Sequence, residues 1–191
     1  MTDDRILVGA KLDRWQKYME NYRLPSWEEL PDMELYIDQV VSLVVRYLGL
    51  IPHDEKNPVV TASIINNYVR LKVVPAPEKK RYNRRHLAYV LMVCVLKQCL
   101  SLTEIQKILP QNMESHQTRG IYNEFAGRMT ETAGRFTVQV RKVAEQELVE
   151  DNPQGCNNLV LHSAISSVLY KLLTQKLAAL QPETPPEKTE L

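Results

Sequence analysis

Residues 61–96 read TASIINNYVRLKVVPAPEKKRYNRRHLAYVLMVCVL, and this stretch decides the fold. Thr61 has the chemistry of a helix N-cap. Ile64, Ile65, Tyr68 and Val69 follow at spacings of one, three and four, which makes one apolar face of a short helix. Ser63, Asn66, Asn67 and Arg70 fall on the opposite face. Val73-Val74-Pro75-Ala76-Pro77 cannot continue a helix, because each proline holds the residue before it in an extended conformation. Lys79, Lys80, Arg81 and Tyr82 come next, and Asn83 is the N-cap candidate for a second helix through about Leu96. The run from Leu87 to Leu96 is apolar, but at about 1.5 Å per residue it covers roughly half a bilayer core. It reads as a buried helix.

Working outward, the spacing predicts helices over Ala10–Tyr22 and Met33–Leu50, the second ended by Gly49 and Pro52. Ser101-Leu102-Thr103-Glu104 has the form of a capping box and opens a short helix stopped by Pro110. A long helix is expected over Ser115–Val149, although Gly127 and Gly134 weaken it. A last helix is expected from about Asn157 to Leu180, with Leu161, Ile165, Val168, Leu169, Leu172, Leu173 and Leu177 on its apolar side. The Pro- and Glu-rich tail 182–191 is expected to be disordered. Few glycines and long periodic stretches give an all-α class. The expected organisation is an N-terminal helix and connector (1–32), a DNA-binding domain (33–110), a helical domain (111–181) and the tail (182–191).

The chain has 191 residues, 44% hydrophobic and 25% charged, ordinary values for a domain with a core. Its net charge of +1 conceals an uneven spread. Residues 61–98 carry eight cations, Arg70, Lys72, Lys79, Lys80, Arg81, Arg84, Arg85 and Lys97, against Glu78 alone. The segments on either side are net acidic. A basic segment inside a near-neutral chain is the footprint of a polyanion-binding surface. Arg84 and Arg85 also oppose the dipole of the helix they open, a local cost that an approaching phosphate reverses.

The order of helix, short polar-faced helix, rigid basic turn and helix fits a winged helix-turn-helix head with room for a small β-wing. On this reading Ser63, Asn66, Asn67 and Arg70 face base edges, since Asn pairs with adenine and Arg with guanine or phosphate. Lys72, Lys79, Lys80, Arg81, Tyr82, Arg84 and Arg85 hold the phosphate backbone. The expected partner is double-stranded DNA and the expected function transcriptional regulation. The rival is a helical protein-interaction adaptor that does not bind DNA.

Catalysis has little to rest on. The chain has no glycine-rich phosphate loop, GxSxG elbow or HExxH pair, and His53, His86, His116 and His162 are scattered. No cofactor or metal is expected, and His86 is expected to face solvent or phosphate. Cys94, Cys99 and Cys156 have no disulfide spacing, which suits a reducing cytoplasm. Cys94 and Cys99 read as small core residues. No secretory signal and no membrane span is expected. The C-terminal helices have two open readings, packing on the N-terminal helices or forming a homodimer.

Three pieces of this sequence, Thr61 to Pro75, Lys80 to Asn83 and Leu100 to Ile105, resemble the DNA-binding head of MerR-type regulators. There a TIRYYE-like recognition helix leads to a Gly-Leu-Leu-Pro turn, an Arg-Arg-Tyr-Ser wing and a Gly-Phe-Ser-Leu-Glu-Glu-Ile helix start. The resemblance implies that Ile65 is the core isoleucine, Asn66 stands for the DNA-facing arginine, Asn67 and Tyr68 for the tyrosine pair, and Arg81 for the wing arginine that holds phosphate. Lys72 stands where the turn glycine is usual, and Cys99 replaces the second glycine. Residues of roughly 24–110 also resemble an uncharacterised Gram-positive bacterial family, domain of unknown function eighteen-thirty-six. That resemblance implies a bacterial origin and a DNA-binding role, with no known ligand.

Overall fold

A computed structural model describes residues 2–54, 56–110, 114–149 and 152–180. The expected tail, 182–191, lies outside the described residues. Among them the chain is all-helical: α1 (Thr2–Asn21), α2 (Ile37–Tyr47), α3 (Ala62–Arg70), α4 (Arg84–Leu96), α5 (Leu102–Ile108), α6 (Ser115–Glu147) and α7 (Gly155–Ala179), with a short 3-10 turn at Trp27–Glu29. No helix among them is long and apolar enough to cross a membrane.

α4 is the axis of the fold. Its residues from His86 to Cys94 are all buried. A helix that is apolar on every side needs neighbours on every side, and α2 and α6 pack against it. Val40 and Val44 from α2, Leu48 at its C-cap, Ile65 and Tyr68 from α3, and Ile105 from α5 join it in one buried cluster. That cluster also takes in Trp27, Tyr122 and Ala178, so it crosses the boundaries expected at residues 32 and 110. Two hydrogen bonds fasten the connector to α6: Trp27 N–H donates to Asn123 Oδ1 at 2.8 Å, and the Tyr122 hydroxyl donates to the Pro25 carbonyl at 2.9 Å.

The helix starts have local causes. Thr61 Oγ1 accepts from Ile64 N–H at 3.1 Å. Ser101 and Glu104 form the reciprocal pair of a capping box, with Ser101 N–H donating to Glu104 Oε2 at 2.7 Å. α6 runs unbroken through Gly127 and Gly134, where an added Cβ would meet nothing within 4 Å. Length and packing against α1 and α4 outweigh the glycine cost there.

Two expectations change. α1 begins well before Ala10. α2 begins at Ile37, not Met33, because Leu35 belongs to a different element. Leu35 N–H donates to the Tyr82 carbonyl at 2.7 Å, and Tyr82 N–H donates back to Leu35 at 2.9 Å, an isolated antiparallel bridge. The side chain of Leu35 suits the apolar spacing of α2, but its backbone is already committed to that bridge.

Candidate nucleic-acid interface

α3 is amphipathic as expected. Ile65 and Tyr68 are buried, while Ser63, Asn66 and Arg70 are exposed and Asn67 is half-buried. The Arg70 guanidinium donates to Asn67 Oδ1 at 2.7 Å, which steadies two polar groups of the outer face.

The end of α3 makes a full Schellman motif. Lys72 N–H donates to the Val69 carbonyl at 2.9 Å, and Val73 N–H donates to the Tyr68 carbonyl at 2.9 Å. This motif needs a left-handed residue between them, and Lys72 takes that role with φ 55°. Lys72 thus closes the turn in a conformation that glycine adopts at lower cost. Gln106 of α5 donates its amide to the Leu71 carbonyl and ties this corner down.

A hairpin tip follows. Glu78 and Arg81 form a second isolated bridge, closed by Arg81 N–H donating to the Glu78 carbonyl at 2.7 Å. Lys79 and Lys80 between them have φ 46° and 63°. Two successive left-handed residues are the hallmark of the tightest hairpin turn, normally filled by Asn and Gly. Among the described residues these three lysines are the non-glycine residues with positive φ. Each is exposed. A non-glycine residue in this conformation costs roughly 1 kcal/mol.

The three arginines that follow, Arg81, Arg84 and Arg85, are half-buried. Arg81 lies 3.6 Å from the centroid of the Tyr36 ring and 4.0 Å from a Glu34 oxygen. Arg84 does not open toward a phosphate: its Nε donates to the Leu30 carbonyl at 3.0 Å, a terminal nitrogen stands 3.6 Å from Asp32, and its guanidinium lies beside Trp27. It fastens the start of α4 to the connector. Arg85 is half-buried, and its Nε has no hydrogen-bond partner among the described residues. Tyr82 is buried and meets His86 edge to face at 5.5 Å, so it packs in the core and does not line the surface.

His86 is likewise buried, against expectation. Its Nδ1 accepts from Asn83 N–H at 3.1 Å and its Nε2 is 3.1 Å from the Ala76 carbonyl. A proton on Nε2 donates to the Ala76 carbonyl, and Nδ1 also lies 2.7 Å from Asn83 Oδ1. Burial pushes its pKa below the ordinary histidine value, an effect that the nearby Arg85 reinforces and the Ala76 hydrogen bond opposes. Cys94 is a core residue whose thiol burial pushes up to about 12. Cys99 is exposed, because α4 ends at Leu96 and leaves it in the following turn.

The surface that remains carries Ser63, Asn66, Asn67 and Arg70 on α3, Lys72 at its end, and Lys79 and Lys80 at the hairpin tip. Sequence reading missed Tyr36 and Glu34, which position Arg81 from 45 and 47 residues away in the chain. No local pattern announces such a pair. A family model described as a domain of unknown function, DUF1836, matches residues 25–125, more than half of the chain. The match holds α2 to α5 and the hairpin, and leaves α1 and α7 outside it. No curated protein and no solved structure matches the chain.

Proposed function

We propose that this chain, which belongs to the DUF1836 family of domains of unknown function, is a duplex-DNA-binding protein that acts in transcriptional regulation. α2 to α5 serve as its winged helix-turn-helix head. α3 enters the major groove with Asn66, Asn67 and Arg70 toward base edges. The hairpin tip lies along the phosphate backbone as a minimal wing.

One observation carries this reading. Lys72, Lys79 and Lys80 are exposed lysines at three backbone positions that glycine or asparagine fills at lower cost. Strain retained at a surface position is a pointer to function. A cation at each of these positions, beside a helix face rich in hydrogen-bonding groups, is what a phosphate backbone rewards. A docking patch for a protein would want buried aromatic anchors there.

Fluorescence anisotropy with random duplex DNA tests it. Binding is expected at low salt, with a steep loss toward physiological salt. Replacing Lys72 and Lys80 with Gly and Lys79 with Asn keeps the turns and removes three charges. It should flatten the slope of log affinity against log salt by roughly two to three, at about 0.9 per phosphate contact. No binding at low salt, or an unchanged slope, rejects the reading. Selection from a genomic library then gives the preferred sequence.

A further inference from the structure

α7 is packed inside out. Toward α6 it turns Leu159, Ser163, Ser166, Ser167 and Tyr170, which line a cavity of about 130 Å³ against Phe136 and Val140. Its opposite side carries Leu161, Ile165, Val168 and Leu172, exposed by 59, 59, 57 and 55%. Their spacing of four, three and four is the seam of a coiled coil, about 16 Å long. Leu169 borders the seam and is also more than half exposed. Monomers rarely leave so continuous an apolar surface in water.

We infer that this stripe pairs with the same stripe of a second copy of the chain, antiparallel, about a two-fold axis between Ser166 and Ser167. The seam is self-complementary about that point. Leu161 faces its counterpart's Leu172, and Ile165 faces its counterpart's Val168, as a two-fold interface requires. Charge selects the direction. α7 has two cations, Lys171 and Lys176, and no acidic residue. A parallel pair in register sets Lys176 against Lys176. The antiparallel pair holds the two Lys176 about 28 Å apart along the axis and the two Lys171 about 14 Å apart. The chain's own residues 182–191 offer one aliphatic side chain, Leu191, so they cannot cover the stripe. A membrane-surface helix would present a face rich in cations opposite its apolar one, and α7 presents serines.

This pairing is independent of DNA binding and is tested without DNA. Light scattering on the full chain at micromolar concentration should give twice the 22.1 kDa chain mass. Ile165→Asp with Val168→Asp should return it to the single-chain mass with unchanged helical circular dichroism, since both side chains point away from α6. In a chain with Cys99 and Cys156 replaced by Ser, Leu161→Cys with Leu172→Cys should crosslink two copies on oxidation. Leu161→Cys alone should not, because the antiparallel pair holds those positions about 16 Å apart. A single-chain mass across the micromolar range overturns the inference, as does flotation of the single chain with anionic vesicles. A double mass that survives the two aspartates overturns it too, as does crosslinking by Leu161→Cys alone.

Discussion

The guanidinium of Arg81 rests on the ring of Tyr36, 3.6 Å from its centroid. The contact joins the hairpin tip to the start of α2, one residue from the Leu35 bridge. Cation–π pairs at exposed sites contribute about 0.5–1 kcal/mol. Tyr36→Leu and Arg81→Ala should each lower stability by roughly that amount. The double variant should cost less than the sum, because the two share one contact. Urea melts of the four proteins measure it, and strict additivity would show that the pair is uncoupled.

Lys72 gives a prediction with opposite signs for stability and binding. Glycine adopts φ 55° without the Cβ clash that lysine bears. Lys72→Gly should therefore raise the unfolding free energy by about 0.5–1 kcal/mol, while duplex-DNA affinity falls at low salt. A variant that is less stable than the parent would remove the case for strain at this turn.

His86 sets a pH window. Its folded pKa lies below the ordinary value of 6.5, so the unfolded chain takes up a proton first as pH falls. The stability linked to this group is complete above 6.5 and is lost as pH falls from there through the folded value. The melting temperature should hold steady from pH 8 to 7 and drop between 6.5 and 5. His86→Gln should melt lower at pH 7.5 but lose less over that interval. The Glu29 carboxylate, held down to about 2 by its hydrogen bond and charge from Arg23, gives up its share below 4.5 and so does not overlap. Equal slopes for parent and variant would rule His86 out as the source.

The cysteines should divide by burial. Cys94, buried with its thiol near 12, should resist iodoacetamide in the native protein, and exposed Cys99 should react readily. Mass spectrometry of native and urea-unfolded samples reads the difference. Rapid native labelling of Cys94 would place α4 nearer the surface than its packing allows.

Helices α3 to α5 were legible because a 3.6-residue period depends on local spacing alone. Thr61, Asn83 and Ser101 announced their helices by chemistry that acts within three residues. Arg84 and His86 were misjudged for the converse reason. Their partners, the Leu30 and Ala76 carbonyls, lie 54 and 10 residues away in the chain, and no periodicity encodes them. Leu35 fits the stripe of α2 by side chain, so only the backbone bridge to Tyr82 separates strand from helix. The positive φ of Lys72, Lys79 and Lys80 was hidden because the residue type argues against it. α7 was legible as a helix but not in its orientation: with leucines on several sides, its sequence does not say which face turns inward.

The unbroken burial of α4 from His86 to Cys94 has a consequence for how this chain can vary. A half-buried helix has a wet side on which substitutions drift freely between buried positions. α4 has none along these nine residues. A saturation-mutagenesis survey should show a solid block of intolerance from 86 to 94, where α3 shows an intermittent one. Neutral change in this chain is thereby expected in the elements that surround α4, and little of it in the axis itself.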